Sequence, residues 1–145
     1  MIAVDTNILV YAHRGDSAFH GPAFEAVRSL AESDTPWAVP WPVVHEFLAV
    51  VTHPRIYSPP TPLSEALMQV QIWMGSPSFA ALAEPAGVYF RHLQHLVEAA
   101  QATGPRVHDA RIAAICLSHG VDELWTADRD YSRFPVLTVR NPLVG

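Results

Sequence analysis

Short apolar runs ending on polar residues alternate with helix-spaced apolar stripes along most of the chain. Residues 1–5 read as a first strand, in which Met1 to Val4 is apolar and the run stops at Asp5. Residues 6–13 suit a short helix. Phe19, Ala23, Ala26, Val27 and Leu30 share one helical face over about 18–32. Trp37 to Val39, between Pro36 and Pro40, is a second strand. Pro42 suits the first turn of a helix running to about Thr52. The segment from His53 to Pro62 holds four prolines and demands a loop. Thr61 then reads as a cap and Pro62 as the first residue of a helix with the stripe Leu63, Ala66, Leu67, Val70 and Met74. Residues 78–82 form a weak strand. Tyr89, Leu93, Leu96, Val97 and Ala100 mark another helix, stopped by Gly104 and Pro105. A helix from about Val107 to His119 ends at Gly120. Strands at 123–126 and 136–139 complete the chain.

This alternation predicts an α/β fold: one domain over 1–145, with a mostly parallel central sheet of about five short strands flanked by helices. The middle of the chain adds a helical hairpin-like insertion with no break in composition.

Four acids stand out against this pattern. Asp5 ends strand one, where open α/β sheets bind ligands; it also suits a cap for the next helix. Glu46 is the only acid in the apolar helix 42–52. It is costly to bury unpaired, unless that helix has one wet face. Asp109 shares a helical face with Ile112, Ala113 and Cys116, although a first-turn acid also complements the helix dipole. Asp128 follows strand four, and if strands one and four are neighbours it meets Asp5. Asp130 is a further acid in a segment that also reads as a polar turn. Crowded carboxylates repel, and a hard cation resolves the repulsion. Oxygen-only ligation suits Mg²⁺ or Mn²⁺, and such a centre serves phosphodiester hydrolysis.

Composition narrows the alternatives. Of 145 residues, 50% are hydrophobic and 16% charged, which is a globular balance. One cysteine, Cys116, rules out an internal disulfide and a cysteine-built zinc site and fits a reducing, cytoplasmic setting. No signal peptide and no membrane span are expected. The net charge of -5 argues against a broadly basic nucleic-acid surface. All the basic residues are arginine, so P-loop, Schiff-base and response-regulator chemistry, which need lysine, are excluded. His45-Glu46 opens like a zinc-protease motif but lacks the second histidine four residues on. His108, beside Asp109, could assist the acids or lie on the surface. No nucleophile elbow is present.

The segments Val4-Asp5-Thr6-Asn7, Glu46 alone in its apolar helix, Val107 to Ala113 with Asp109, and Thr126-Ala127-Asp128-Arg129-Asp130-Tyr131 followed by Phe134 together resemble the PIN domain in order and spacing. The compact form is similar to VapC-type toxins of bacterial toxin–antitoxin modules. The resemblance implies a Mg²⁺- or Mn²⁺-dependent endoribonuclease leaving 5′-phosphate and 3′-hydroxyl ends. It implies an acid cluster of Asp5, Glu46, Asp109 and Asp128, supported by Asn7 and Thr126, with Asp130 as a variable additional acid. It also implies a homodimer and a VapB-like antitoxin that blocks the groove and brings the DNA binding this chain lacks. Arg14, Arg106, Arg111, Arg129 and Arg133 lie near the acids in sequence and are candidates for gripping RNA. The competing expectations are a non-catalytic, cation-stabilised interaction module and a structure-selective DNA nuclease.

Overall fold

In the computed structural model, residues 1–144 are described; the expected domain limit at Gly145 lies outside them. The chain runs β1 (Ile2–Val4), α1 (Thr6–His13), α2 (His20–Ala31), β2 (Trp37–Pro40), α3 (Trp41–Val51), α4 (Leu63–Met74), β3 (Phe79–Leu82), α5 (Tyr89–Ala100), α6 (Arg106–Ser118), β4 (Glu123–Trp125) and β5 (Val139–Arg140). A 3₁₀ turn, Arg129–Arg133, precedes β5. Every strand pairing is parallel, in the order β3-β2-β1-β4-β5.

The order explains where a site forms. From β1 the chain builds outward through β2 to β3, then returns to the other side of β1 as β4. The chain therefore leaves the carboxyl ends of the neighbouring strands β1 and β4 in opposite directions, toward β2 and toward β5, and a crevice opens between them. The backbone N–H of Asp5 donates to the Trp125 carbonyl at 2.9 Å, so the ends of β1 and β4 lie side by side. Ala3, Val4, Trp37, Ala38, Val39 and Leu124 are buried, as strands covered on both faces require. Trp37 meets Phe79 edge-on at 5.0 Å, and Phe47 meets Trp73 likewise at 5.0 Å. Trp37, Trp73 and Trp125 belong to the core, whereas Trp41 is exposed.

Several sequence expectations shift. Strand five lies at Val139–Arg140, not 136–139. Leu137 is buried as part of a turn in which its N–H donates to the Phe134 carbonyl, and Val136 is 60% exposed. Pairing starts only where the Thr138 carbonyl accepts from Leu124. At α4 the cap position belongs to Pro62, because the Thr61 N–H donates back to Val51 and its hydroxyl serves His13 and Arg14. The buried stripe of α4 is Ala66, Val70 and Trp73; Leu63 and Leu67 face outward. Helix α5 stops earlier than Gly104, at Gln101 in a left-handed conformation with φ 50°.

Candidate active site

Asp5 leaves β1 as the N-cap of α1, so the capping and site readings coincide. Its Oδ1 accepts the Thr6 N–H at 2.8 Å and its Oδ2 accepts the Thr126 hydroxyl at 2.7 Å. That hydroxyl also accepts from Asn7 Nδ2 at 3.3 Å and from the Asp128 N–H at 3.0 Å. Asn7 Oδ1 accepts the Ala127 N–H at 3.1 Å. Asn7 and Thr126 thus stitch the start of α1 to the segment after β4, and Asp128 is held beside Asp5. Asp128 in turn caps the 3₁₀ turn by accepting the Asp130 N–H at 2.9 Å.

Glu46 reaches the crevice from α3. The expectation that burial would press on it is corrected: it is exposed, because Trp41, His45, Glu46 and Ala49 form a wet face of an otherwise apolar helix. Its Oε2 accepts the Thr6 hydroxyl at 3.2 Å. Asp109 enters from the first turn of α6 and is half-buried.

Asp5, Glu46, Asp109 and Asp128 line one cleft of about 280 Å³ together with Thr6, Asn7, Tyr11 and Tyr57. Asp5 is only 5% exposed, and its pKa rises from 3.8 to about 6, mainly through burial and further through Glu46 and Asp109. Asp109 also rises to about 6, through burial first and then through Asp128, Asp130 and Glu46, with His108 opposing. Oxygens of Asp109, Asp128 and Asp130 all lie within 4.8 Å of one another. This oxygen-only set, with two carboxyls pushed toward the neutral form, fits a hard divalent cation. The tightest triad contains Asp130, which the sequence left as an additional acid, while Asp5 and Glu46 border it.

The arginines divide. Arg14 Nε and Nη2 donate to Asp16 at 2.9 and 2.7 Å, Nη1 to Thr61 at 3.1 Å and Nη2 to the Pro59 carbonyl at 3.0 Å. Arg111 pairs with Glu84 and lines a second groove of about 570 Å³. That groove shares Glu46, Asp109 and Ile112 with the acid cleft and adds His45 and His108. Arg106, Arg129 and Arg133 are exposed and, among the described residues, in no ion pair. Sequence reasoning did not single out Tyr11 and Tyr57. Tyr57 stands in a proline-rich loop with no periodicity to mark it.

The family model described as the PIN domain matches residues 2–137. Ribonuclease VapC43 of Mycobacterium tuberculosis is 34% identical over 145 residues, which is 100% of this chain and 97% of that protein. Ribonuclease VapC31 of the same organism is 33% identical over 144 residues, 99% of this chain and 100% of that one. Among solved structures, VapC20 of Mycobacterium tuberculosis, described as a sarcin–ricin loop cleaving toxin, aligns with a TM-score of 0.69 at 19% identity, covering 97% of this chain and 100% of that one. A chain of VapBC2 from Rickettsia felis, bound to a DNA fragment from its promoter, aligns with a TM-score of 0.68 at 20% identity, covering 97% and 98%. The structural likenesses speak to the fold.

Proposed function

The chain belongs to the PIN-domain family, in its VapC branch, and from that premise we propose that it is a metal-dependent endoribonuclease of a toxin–antitoxin pair. The observation that carries the reading is the convergence on one cleft of acids from four separate places in the chain: the end of β1, α3, the first turn of α6 and the segment after β4. The names of its relatives as ribonucleases and the VapBC complexes among its structural neighbours support it.

Asp109, Asp128 and Asp130, bordered by Asp5 and Glu46, would hold Mg²⁺ or Mn²⁺. Such an ion, when bound, acidifies water and stabilises charge on a phosphoryl group. The chain's own residues supply the rest. Thr6, Asn7 and Thr126 fix the carboxylates before substrate arrives. One of the carboxylates bordering the ion would take the proton from the attacking water. Hydrolysis in one step then leaves 5′-phosphate and 3′-hydroxyl ends. Arg106, Arg129 and Arg133, exposed and in no ion pair among the described residues, are the candidate phosphate contacts. A VapB-like antitoxin and a second copy of the chain are the proposed partners, and the exposed Leu67, Met68 and Ile72 of α4 offer apolar surface for such contacts. No helix among the described residues is long and apolar enough to cross a membrane.

The test is incubation of the purified chain with a mixed RNA pool in Mg²⁺, in Mn²⁺ and in EDTA, with Asp5→Asn and Asp109→Asn alongside. Metal-dependent cleavage that both substitutions reduce by at least about 10²-fold is expected. Cleavage that survives chelation, or cyclic-phosphate ends, would overturn the mechanism. Cutting of DNA but not RNA would favour the structure-selective DNA nuclease, and no cleavage by a folded chain the interaction module.

A further inference from the structure

We infer that Tyr131 is a positioning residue for the acid cluster: its hydroxyl donates to the Asp109 carboxylate when a divalent cation gathers the acids. The inference rests on the metal-dependent reading above and adds to the site a residue that carries no charge.

The observation behind it is a mismatch in hydrogen bonding. Tyr131 is 1% exposed, and its hydroxyl has no hydrogen-bond partner among the described residues. Buried polar groups are nearly always paired, so an orphaned one asks for a partner that the ion-free fold does not supply. Asp109 is its counterpart. Asp5 accepts two hydrogen bonds, Glu46 accepts one from the Thr6 hydroxyl, and Asp128 accepts one from the Asp130 N–H. The half-buried Asp109 carboxylate accepts none among the described residues. One donor and one acceptor are left over at the same site.

The fold brings the two together. Tyr131 stands in the 3₁₀ turn Arg129–Arg133, which Asp128 caps, so the ring is carried by the same turn as Asp130. Phe134 meets the ring edge-on with centroids 6.2 Å apart, and the Phe134 N–H donates to the Tyr131 carbonyl at 3.0 Å. Oxygens of Asp128 and Asp130 in turn lie within 4.8 Å of one of Asp109. Burial first, then the charges of Asp5 and Asp109, then Cys116 and Asp128, push the phenol well above its usual range. The hydroxyl therefore keeps its proton and is a donor to the acids around it. A carboxylate held on a cation is ionised, and a hydrogen bond to it is charge-assisted. Donors of this kind fix the orientation of ligating carboxylates, and their loss costs roughly 10–100-fold in metal affinity.

The experiment titrates Mn²⁺ calorimetrically into the full chain and into Tyr131→Phe near neutral pH, with melting in EDTA measured beside it. The phenylalanine variant is expected to bind Mn²⁺ about tenfold more weakly and, without ions, to melt at or above the parent's temperature, because it lacks an orphaned buried group. In an Asp109→Asn background the same substitution should change Mn²⁺ affinity by less than about twofold. On RNA, the variant's cleavage rate should fall at limiting Mn²⁺ and return to within about twofold of the parent at saturation. Mn²⁺ affinity equal to the parent's overturns the proposal, and so does a tenfold loss that persists beside Asp109→Asn. A variant that fails to fold, or melts well below the parent in EDTA, would show the hydroxyl bonded in the ion-free fold and overturns it too. A parent that binds no Mn²⁺ overturns the metal-dependent reading and this proposal with it.

Discussion

Thr126 shows how few side chains fit at the centre of the site. Its hydroxyl donates one hydrogen bond to Asp5 and accepts two, from Asn7 and from the backbone of Asp128. It is 3% exposed, so each partner would be left bare without it. The acids it organises repel one another, and that makes a pH prediction for Asp109. Its pKa is 3.8 in an ordinary setting and about 6 in the fold. Between those values the folded state binds more protons than the unfolded state, so stability is present at low pH and falls as pH rises through 6. Asp109→Asn removes the titration. Without divalent ions the variant should melt about 2–4 °C above the parent at pH 7.5, which corresponds to about 1 kcal/mol once solvent screening of a half-exposed group is discounted. The gain should vanish near pH 4. Mg²⁺ should raise the parent's melting temperature more than the variant's. Scanning fluorimetry at both pH values decides it; an equal gain at pH 4 would assign the effect to packing instead.

Elements with a strong period were legible in the sequence, and those whose ends depend on distant partners were not. Helix α2 and strands β1 and β2 came within one or two residues, because propensity and burial agree there. Glu46 was placed on the correct helix, but the wet face of α3 was hidden, since Trp41 and Ala49 on it are themselves apolar. Strand β5 was misplaced because Leu137 is buried without pairing, and an apolar run does not distinguish the two. The acids Asp5, Asp109 and Asp128 were legible from their positions at the ends of elements. Tyr57 was not, because a loop residue is brought to a site by anchors elsewhere, here the Arg14 guanidinium, 4.3 Å from its ring centroid, and the Thr61 N–H bonded to the Val51 carbonyl. The end of α5 was missed for a related reason: its stop is Gln101 in the left-handed region, with φ 50° and ψ 44°, not the glycine three residues on. Glycine adopts that conformation freely and glutamine does not. Gln101→Gly should therefore raise stability by roughly 0.5–1 kcal/mol, the relief of strain exceeding the added freedom of the unfolded chain. Urea unfolding would show it as a higher midpoint at constant slope, with Mg²⁺ response unchanged. A lower midpoint would mean that the Gln101 side chain stabilises the end of α5 by contacts of its own.

Across the whole molecule, sheet order and charge act together. Because β4 returns to the opposite side of β1, the crevice gathers the acids at one edge, while the net charge is -5 and no lysine is available elsewhere. Of the arginines near the acids in sequence, Arg14 and Arg111 are paired with Asp16 and Glu84. Arg106, Arg129 and Arg133 are exposed and are the proposed phosphate contacts. A protein that holds RNA through three such contacts releases few counterions. The logarithm of its affinity for a single strand should then fall against the logarithm of salt with a slope of only about −2, from about −0.7 per phosphate contact. A broadly basic binder making ten contacts would show about −7. Anisotropy titrations of the Asp109→Asn protein across roughly 50–300 mM KCl at fixed Mg²⁺ measure the slope directly. Arg129→Gln should make it shallower by about 0.7 and weaken binding to all sequences alike. A parent slope steeper than about −5 would mean that basic surface reaches the RNA from beyond these three residues, and a second copy of the chain, bringing its own arginines to the same strand, is the first source to examine by repeating the titration at protein concentrations spanning dimer formation.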